Sequence, residues 1–349
     1  MSRLFCKLIF KGVAGKMEGV KEQYVNKEHE KGRVDVTVAE DFHDLSLEHQ
    51  PLGTLCSPIK DPAQWSSYAL SQEQVDQYWR DGYLSGIRVL TDEQCELILN
   101  DYQIFLDKEK VHPGHGLFYE FHRNQSGLSD NVLLHALGQW RITKAFHDIC
   151  FLPQISVPSS QLIDPDNKGG QVPIRLWHDQ LFSKPPKHGG VVAWHQDYSY
   201  WTRTKPMKHL TIHIALDDQT PETGGLHFVP ESHRWSRNGN PLPITDATFG
   251  DMESLKKVLT EEEFAQFKPV PSGLKRGHAS FHHPLMVHGS YANKSERPRR
   301  ACVVNYIADG VWSDTNEPLL NGVPLIEKGN KMEGQFFPLV FDPKWASPV

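Results

Sequence analysis

The tetrapeptide Trp194-His195-Gln196-Asp197 closes a short apolar run that follows a Gly-Gly turn. In an extended strand, side chains two residues apart point to one face, so His195 and Asp197 are predicted to project together. One imidazole and one carboxylate at this spacing supply two ligands of a facial triad of two histidines and one carboxylate. Such a triad leaves positions open on a ferrous ion. His-x-Asp alone also occurs often by chance, so the prediction depends on a third ligand.

The third ligand is expected from a neighbouring strand, and one later segment offers His282, His283 and His288. His288 follows an apolar stretch and precedes a glycine, as expected for a ligand at a strand end. His282 and His283 stand beside Pro284, which favours a turn. We therefore predict that His195, Asp197 and His288 hold the metal, with His283 as the alternative to His288.

Arg299 follows His288 by eleven residues, which allows one turn and a return on the adjacent strand. A 2-oxo acid that chelates iron needs a cation for its far carboxylate. The planar guanidinium of arginine pairs a carboxylate through two hydrogen bonds. Strand parity puts Arg299 and Arg300 on opposite faces. The alternative is that Arg297, Arg299 and Arg300 form a solvated basic turn.

The surrounding sequence predicts a mainly β fold with flanking helices. The period-2 alternation of a half-buried strand appears at Leu210, Ile212, Ile214 and Leu216. Capping-box patterns at Ser71 and Thr91 begin two helices, and further helices are predicted near 140–151 and 260–267. Short strands separated by turns, without alternating helices, predict an antiparallel barrel or sandwich. The expected architecture is N-terminal helices packed on a jelly-roll core.

The chain is expected to form one domain over residues 66–349, with an insertion near 231–272. Residues 1–65 are polar without a sustained period and are predicted to be an N-terminal extension, in part disordered. Residues 1–16 are basic and partly apolar, so they are a candidate targeting segment.

Composition excludes several classes of protein. The formal net charge is −6 and no long block of Lys and Arg occurs, so a nucleic-acid partner is not expected. No apolar run approaches the roughly 20 residues of a membrane span. The five cysteines are scattered and share no metal-type spacing, which indicates a reducing intracellular compartment, cytoplasmic or, as an alternative, mitochondrial. Eleven of the 19 histidines lie between His178 and His288, a concentration typical of metal chemistry.

Five short motifs occur in a characteristic order over roughly residues 70–310, and together they resemble the phytanoyl-CoA dioxygenase-like family. They are Tyr78-Trp79-Arg80-Asp81-Gly82-Tyr83, Lys184-Pro185-Pro186, His195-Gln196-Asp197, Glu222-Thr223-Gly224-Gly225-Leu226 with Pro230-Glu231-Ser232-His233, and His288-Gly289-Ser290 followed by Asn293, Ser295, Pro298 and Arg299. Glu231 stands where the family usually has glycine.

The resemblance implies a double-stranded β-helix (cupin-like) core and an Fe(II)- and 2-oxoglutarate-dependent dioxygenase that hydroxylates a small-molecule or acyl substrate with dioxygen. It selects Arg299 as the anchor for 2-oxoglutarate. By position, Gln180, His213 and Ser290 are expected to be further co-substrate contacts. The family often has Trp where His213 stands, so a satisfied interior histidine is the alternative there. The carboxylate of Asp197 favours hydroxylation over halogenation, because related halogenases lack it.

Two other functions share parts of this pattern: a cupin-like metal enzyme that does not use 2-oxoglutarate, and an inactive binding protein on the same scaffold. The substrate is less determined. An aromatic mouth followed by positive charge is suggested by Tyr198, Tyr200, Trp201, Arg203, Lys205, Lys208 and His209. An anionic group, for example that of an acyl-CoA, would fit this charge, and a solvated hairpin tip is the alternative.

Overall fold

The computed structural model describes residues 42–107, 110–126, 132–243 and 251–346. The candidate targeting segment lies outside these residues. The α-helices are α1 Gln72–Asp81, α2 Asp92–Leu106, α3 Lys144–Ile149, α4 Pro153–Leu162, α5 Tyr198–Trp201 and α6 Glu261–Gln266. The strands are β1 Tyr83–Arg88, β2 Glu120–His122, β3 Leu134–Leu137, β4 Ile174–Lys184, β5 Val192–His195, β6 Thr204–Lys205, β7 His209–Ala215, β8 Leu226–Phe228, β9 Val270–Pro271, β10 His278–His282, β11 His288–Ser290, β12 Arg299–Ala308, β13 Trp312–Ser313 and β14 Leu339–Phe341.

Two antiparallel sheets form the body of the fold. The major sheet has the strand order β1-β10-β7-β12-β4-β3-β2, with β14 also paired to β4, and the minor sheet has the order β5-β11-β8-β9. A short pair, β13 with β6, lies apart from both sheets. Since neighbours in each sheet are mostly distant in sequence, the chain crosses repeatedly between the sheets. The mainly β jelly-roll core with flanking helices is confirmed.

The two faces of the major sheet differ in chemistry. On β7, Ile212 and Ile214 belong to the main hydrophobic cluster, which also contains residues of α1 to α4. Their neighbours Thr211 and His213 point to the other face, because successive residues of a strand alternate. The hydrophobic core therefore lies between the major sheet and the helices. The space enclosed by the two sheets is lined by polar side chains.

Helix boundaries follow the capping signals. The predicted capping boxes at Ser71 and Thr91 are present, and the helix predicted near 260–267 begins with a third at Thr260, each with reciprocal hydrogen bonds at the helix start. Helix α1 ends at Gly82, whose φ of 86° lies in the left-handed region.

The single helix predicted over 140–151 is wrong. A 3-10 turn, Gln139–Arg141, precedes α3, and the extended conformation of Thr143 separates the two. A further helix, α4, begins at Pro153, where the absence of a proline N–H costs no helical hydrogen bond.

The N-terminal part of the described chain is attached to the body of the fold. The buried carboxylate of Asp148 accepts backbone hydrogen bonds from Leu52 (2.5 Å), Thr54 (2.6 Å) and Leu55 (2.8 Å). Leu55 and Trp65 belong to the main hydrophobic cluster. We therefore propose that the folded domain includes residues 52–65 and so begins earlier than the predicted boundary at residue 66. Among the described residues, no helix combines the length and the apolar character that crossing a bilayer requires.

This boundary can be tested by truncation. A chain that begins at residue 66 loses Leu55 and Trp65 from the core and leaves the Asp148 carboxylate buried without donors. We expect its thermal midpoint to fall by at least about 5 °C, since each buried large apolar side chain contributes about 1.5–3 kcal/mol. The comparison is with a chain that begins at residue 42, which keeps these contacts. Equal midpoints for the 66-start and 42-start chains would contradict the proposed boundary.

Candidate metal and co-substrate site

The three predicted metal ligands converge between the two sheets. His195 at the end of β5 is the register partner of His288 at the start of β11. One ligand atom from each of His195, Asp197 and His288 lies within 4.8 Å of the others. The Nε2 atoms of His195 and His288 lie 3.3 and 3.6 Å from Oδ1 of Asp197. This arrangement is compatible with a single ion held by all three groups.

Asp197 reaches this position by a different backbone path from the one predicted. Strand β5 ends at His195, and Asp197 has helical φ and ψ values of −57° and −41° at the start of α5. The prediction that both residues lie on one strand is therefore wrong. The tight turn at the strand end brings the carboxylate back toward the His195 ring.

Both histidines have backbone partners that set their tautomer. Nδ1 of His195 lies 2.7 Å from the carbonyl oxygen of Ala193, and Nδ1 of His288 lies 2.9 Å from that of Met286. A carbonyl oxygen can only accept, so each Nδ1 carries the proton and each Nε2 presents a lone pair. Burial and the neighbouring His195 lower the pKa of His288 well below its usual value, which favours the neutral, ligating form.

The two carboxylate oxygens of Asp197 face different sheets. Oδ2 accepts a hydrogen bond of 2.6 Å from Thr211 Oγ1 on β7 and one of 3.1 Å from His282 Nε2 on β10. Oδ1 remains directed at the two histidines of the minor sheet. Burial alone would raise the pKa of Asp197, but the nearby histidines hold it well below its usual value. The group is therefore an ionised carboxylate with one oxygen available to a metal.

Thr211, His282 and Asn305 form a supporting layer that the sequence did not identify as functional. Thr211 Oγ1 also lies 2.9 Å from Oδ1 of Asn305, and Asn305 Nδ2 lies 3.2 Å from Nδ1 of His178. The sequence offers His282 only as a candidate for the third metal ligand. A period-2 count along the later strands would have placed these residues on the site face, although their contacts with Asp197 required the three-dimensional pairing of β7, β10 and β12.

The alternative ligand His283 is directed elsewhere. Its ring packs 6.1 Å from that of Trp79 and 5.3 Å from that of His233. Parity explains the difference, because His282 and His283 point to opposite sides of the chain at the end of β10.

Arg299 and Arg300 have opposite environments. Arg299 is 1% exposed, and its Nε and Nη2 have no hydrogen-bond partner among the described residues. Burial lowers its pKa to about 10. Arg300 instead donates to both carboxylate oxygens of Asp217, at 2.8 and 2.6 Å. The solvated-turn alternative therefore does not describe Arg299, whose buried guanidinium forms no ion pair within the described part of the chain.

The other residues predicted near the co-substrate lie on the inner face and have protein partners. Ser290 Oγ accepts a hydrogen bond of 2.7 Å from Lys184 Nζ. His213 Nε2 lies 3.0 Å from Gln219 Oε1, and Gln180 Oε1 lies 2.9 Å from a ring nitrogen of His135. Burial and the charge of Arg299 lower the pKa of His213 well below its usual value, so this ring is neutral beside the arginine.

The predicted aromatic mouth is present only in part. Tyr200 is 46% exposed, and its ring makes an edge contact with His195 at 5.7 Å. Tyr198 and Trp201 are buried, and the Tyr198 hydroxyl donates to the carbonyl of Thr204. Tyr200 alone of these three is both accessible and beside a predicted metal ligand.

The predicted patch of positive charge is wrong for two of its members. Lys208 is neutralised by Asp164 and Asp166, at 2.8 and 3.1 Å. His209 is 1% exposed and its Nε2 lies 2.9 Å from Thr204 Oγ1, because it occupies an inward position on β7. Arg203 donates to the carbonyl of Pro318 at 2.9 Å.

Comparison with known proteins accounts for this arrangement. The profile of the phytanoyl-CoA dioxygenase family matches residues 78–301, which include all three candidate ligands and Arg299. The chain belongs to the phytanoyl-CoA dioxygenase family. A relative from Caenorhabditis elegans, a phytanoyl-CoA dioxygenase domain-containing protein 1 homolog, is 33% identical over 136 residues, covering 38% of this chain and 47% of the relative. The chain spans about half the length of the curated relatives it matches in this way.

Solved structures of other oxygenases share the fold. The non-heme α-ketoglutarate-dependent carbocyclase SnoK from nogalamycin biosynthesis has a TM-score of 0.62 and 23% identity, over 78% of this chain and 97% of that protein. The epimerase SnoN, solved in complex with Fe³⁺, α-ketoglutarate and nogalamycin RO, has a TM-score of 0.61 and 21% identity, over 80% of this chain and 100% of that protein. At these identities the likeness establishes the jelly-roll fold of the phytanoyl-CoA dioxygenase family member described here.

The role of Thr211 can be tested by Thr211→Val, which keeps the shape of the side chain and removes its hydroxyl. We expect Fe(II) affinity to fall about 10–100-fold, because groups that orient a ligating carboxylate contribute to metal binding. Anaerobic Fe(II) titration measures this. The matched control is Ser280→Ala, since Ser280 lies on the same face at β10 and its hydroxyl has no partner among the described residues. Unchanged affinity in Thr211→Val would contradict this role.

Proposed function

We propose that the chain is an Fe(II)- and 2-oxoglutarate-dependent dioxygenase that hydroxylates a small-molecule substrate. The observation that carries this proposal is the combination of two sites on the inner face of one jelly roll. A two-histidine, one-carboxylate cluster lies on the same inner face as a fully buried arginine, whose Nε and Nη2 have no hydrogen-bond partner among the described residues. Membership in the phytanoyl-CoA dioxygenase family supports the same function.

The donor set fits ferrous iron. Two neutral imidazole nitrogens and one carboxylate oxygen form the set typical of non-haem Fe(II) oxygenases, and three ligands leave positions for a co-substrate and dioxygen. We propose that His195, Asp197 and His288 hold the ion. When bound, iron and 2-oxoglutarate supply the oxidation of a substrate C–H bond by dioxygen, with release of succinate and carbon dioxide.

The residues around Arg299 fit the far carboxylate of 2-oxoglutarate. The two unpartnered guanidinium nitrogens can donate a bidentate pair of hydrogen bonds to one carboxylate. We propose Ser290, Gln180 and His213 as further contacts, with His213 contributing as a neutral donor or acceptor. A cupin-like metal enzyme without 2-oxoglutarate would leave the Arg299 charge buried and unpaired, which is costly.

The supporting hydrogen bonds favour hydroxylation over halogenation. A halide needs a metal position that the carboxylate does not fill. Asp197 is held toward the two histidines by Thr211 and His282, so its departure from the metal would break both of those contacts.

The substrate is proposed to approach beside Tyr200, whose accessible ring flanks His195. The relatives' names include phytanoyl-CoA and hypophosphite as substrates of those proteins. An anionic or acyl-CoA substrate remains a proposal for this chain, and it receives little support from Lys208, which is already paired with two acids.

A reducing compartment is also proposed, because the described cysteines Cys56, Cys95, Cys150 and Cys302 are free thiols.

The metal assignment predicts that the purified protein binds about one Fe(II) per chain. The double variant of His195→Ala with Asp197→Ala should lose iron binding and succinate release while keeping its circular dichroism spectrum, because each change removes a ligand and little core volume. His278→Ala is the control, since His278 lies on β10 outside the ligand cluster. Tight iron binding by the double variant would contradict the assignment.

The anchor assignment separates two adjacent arginines. Arg299→Ala should raise the 2-oxoglutarate concentration needed for half-maximal succinate release steeply, because losing one partner of a buried charged pair costs about 2–5 kcal/mol. Arg300→Ala should leave that concentration unchanged, since Arg300 pairs with Asp217 on the other face. A large effect from Arg300→Ala with none from Arg299→Ala would place the anchor on the opposite face.

A further inference from the structure

A second buried cation, Lys184, lies beside Arg299. The two residues are register partners at the ends of β4 and β12, and Lys184 is 0% exposed. Among the described residues no carboxylate lies within 4.0 Å of its ammonium group, which is the distance at which an ion pair is counted. Lysine is rarely buried without an acidic partner, so the position needs another explanation.

The hydrogen bonds of Lys184 determine whether the Ser290 hydroxyl acts as a donor or as an acceptor. Its Nζ donates to Ser290 Oγ at 2.7 Å, to the Ser290 carbonyl at 3.3 Å and to the Tyr291 carbonyl at 2.6 Å. An ammonium group has donors and no acceptor, so Ser290 Oγ must accept from it. The hydroxyl hydrogen of Ser290 is therefore free to donate, and no acceptor for it is found in the described part of the chain.

We propose that Lys184 is a positioning residue that keeps the Ser290 hydroxyl as a donor to the far carboxylate of a 2-oxo dicarboxylate, next to the Arg299 guanidinium. The inference rests on the proposed function and deepens it. In this arrangement Lys184 contributes to the choice of co-substrate, because a 2-oxo monocarboxylate has no group to accept the Ser290 hydrogen bond. Burial and the neighbouring Arg299 both lower the pKa of Lys184, and a bound carboxylate would offset these two costs.

A purely structural role for Lys184 would change ligand binding in a different way. Lys184 also contacts the carbonyls of residues 290 and 291, so it could serve only to hold the end of β11 in place. In that case its loss would disturb His288, two residues before Ser290, and would weaken the metal and every 2-oxo acid alike. Positioning of the hydroxyl predicts a loss confined to dicarboxylates.

The first experiment compares Lys184→Met with Lys187→Met in full-length, anaerobic, Fe(II)-loaded protein. Lys187 is an exposed neighbour paired with Glu296, so it controls for loss of one positive charge near this turn. Calorimetric titrations measure the binding of 2-oxoglutarate and of 2-oxobutyrate, which lacks the far carboxylate, to the loaded protein, and the binding of Fe(II) to the same variants before loading. We expect Lys184→Met to bind 2-oxoglutarate about 10–100-fold more weakly, as for loss of a hydrogen bond to a charged group. Fe(II) and 2-oxobutyrate should bind as in the wild type, and Lys187→Met should match the wild type throughout.

A double-mutant cycle with Ser290→Ala tests whether Lys184 affects 2-oxoglutarate binding through the Ser290 hydroxyl. If Lys184 acts through the Ser290 hydroxyl, Lys184→Met should weaken 2-oxoglutarate binding by less than about threefold once Ser290 is alanine, because coupled residues are not additive. Equal losses in the two backgrounds, or equal weakening of both 2-oxo acids, would overturn the proposal. Wild-type protein that binds neither Fe(II) nor 2-oxoglutarate would instead refute the proposed function, and a variant that fails to bind Fe(II) would identify the structural role.

Discussion

The carboxylate of Asp197 joins the two sheets of the fold. One oxygen receives hydrogen bonds from Thr211 and His282 on the major sheet, and the other faces the two histidines on the minor sheet. A buried carboxylate is costly unless it is paired and hydrogen-bonded. Here Thr211 and His282 donate to one oxygen from β7 and β10, and the proposed metal ion would pair with the other oxygen between β5 and β11. The site can therefore form only when both sheets have assembled in the correct register.

The outer face of the major sheet packs in the hydrophobic core, and its inner face lines the candidate site. Its outer face carries side chains such as Ile212, Ile214 and Val304 into the main hydrophobic cluster, while its inner face carries Thr211 and Arg299. Alternation along each strand makes this separation strict, since a shift by one residue would exchange the two sets. The paired environments of Arg299 and Arg300 show this directly. The buried guanidinium of Arg299 has two nitrogens without a hydrogen-bond partner in the described ranges, whereas its neighbour Arg300 forms an ion pair with Asp217 on the other face.

Much of this organisation could be predicted from the sequence because it follows from local patterns. Period-2 alternation predicts that Arg299 and Arg300 point to opposite faces of the sheet. Side-chain capping signals predict the starts of α1, α2 and α6. The conformation of Asp197 could not be predicted in the same way, because the end of β5 is set by tertiary contacts. The partners of Lys208 and the supporting role of His282 also depended on residues far away in sequence. The inner pairing of Lys184 with Ser290 spans 106 positions, which no local pattern records.

The fixed tautomers of His195 and His288 have a consequence for metal exchange. Both imidazoles already present Nε2, so little reorganisation is needed before an ion binds. The proposed set of two nitrogens and one oxygen would follow the Irving–Williams order, in which nickel, copper and zinc bind more tightly than ferrous iron. Correct metallation would then depend on the coordination geometry that the site imposes and on which divalent metals the cell supplies.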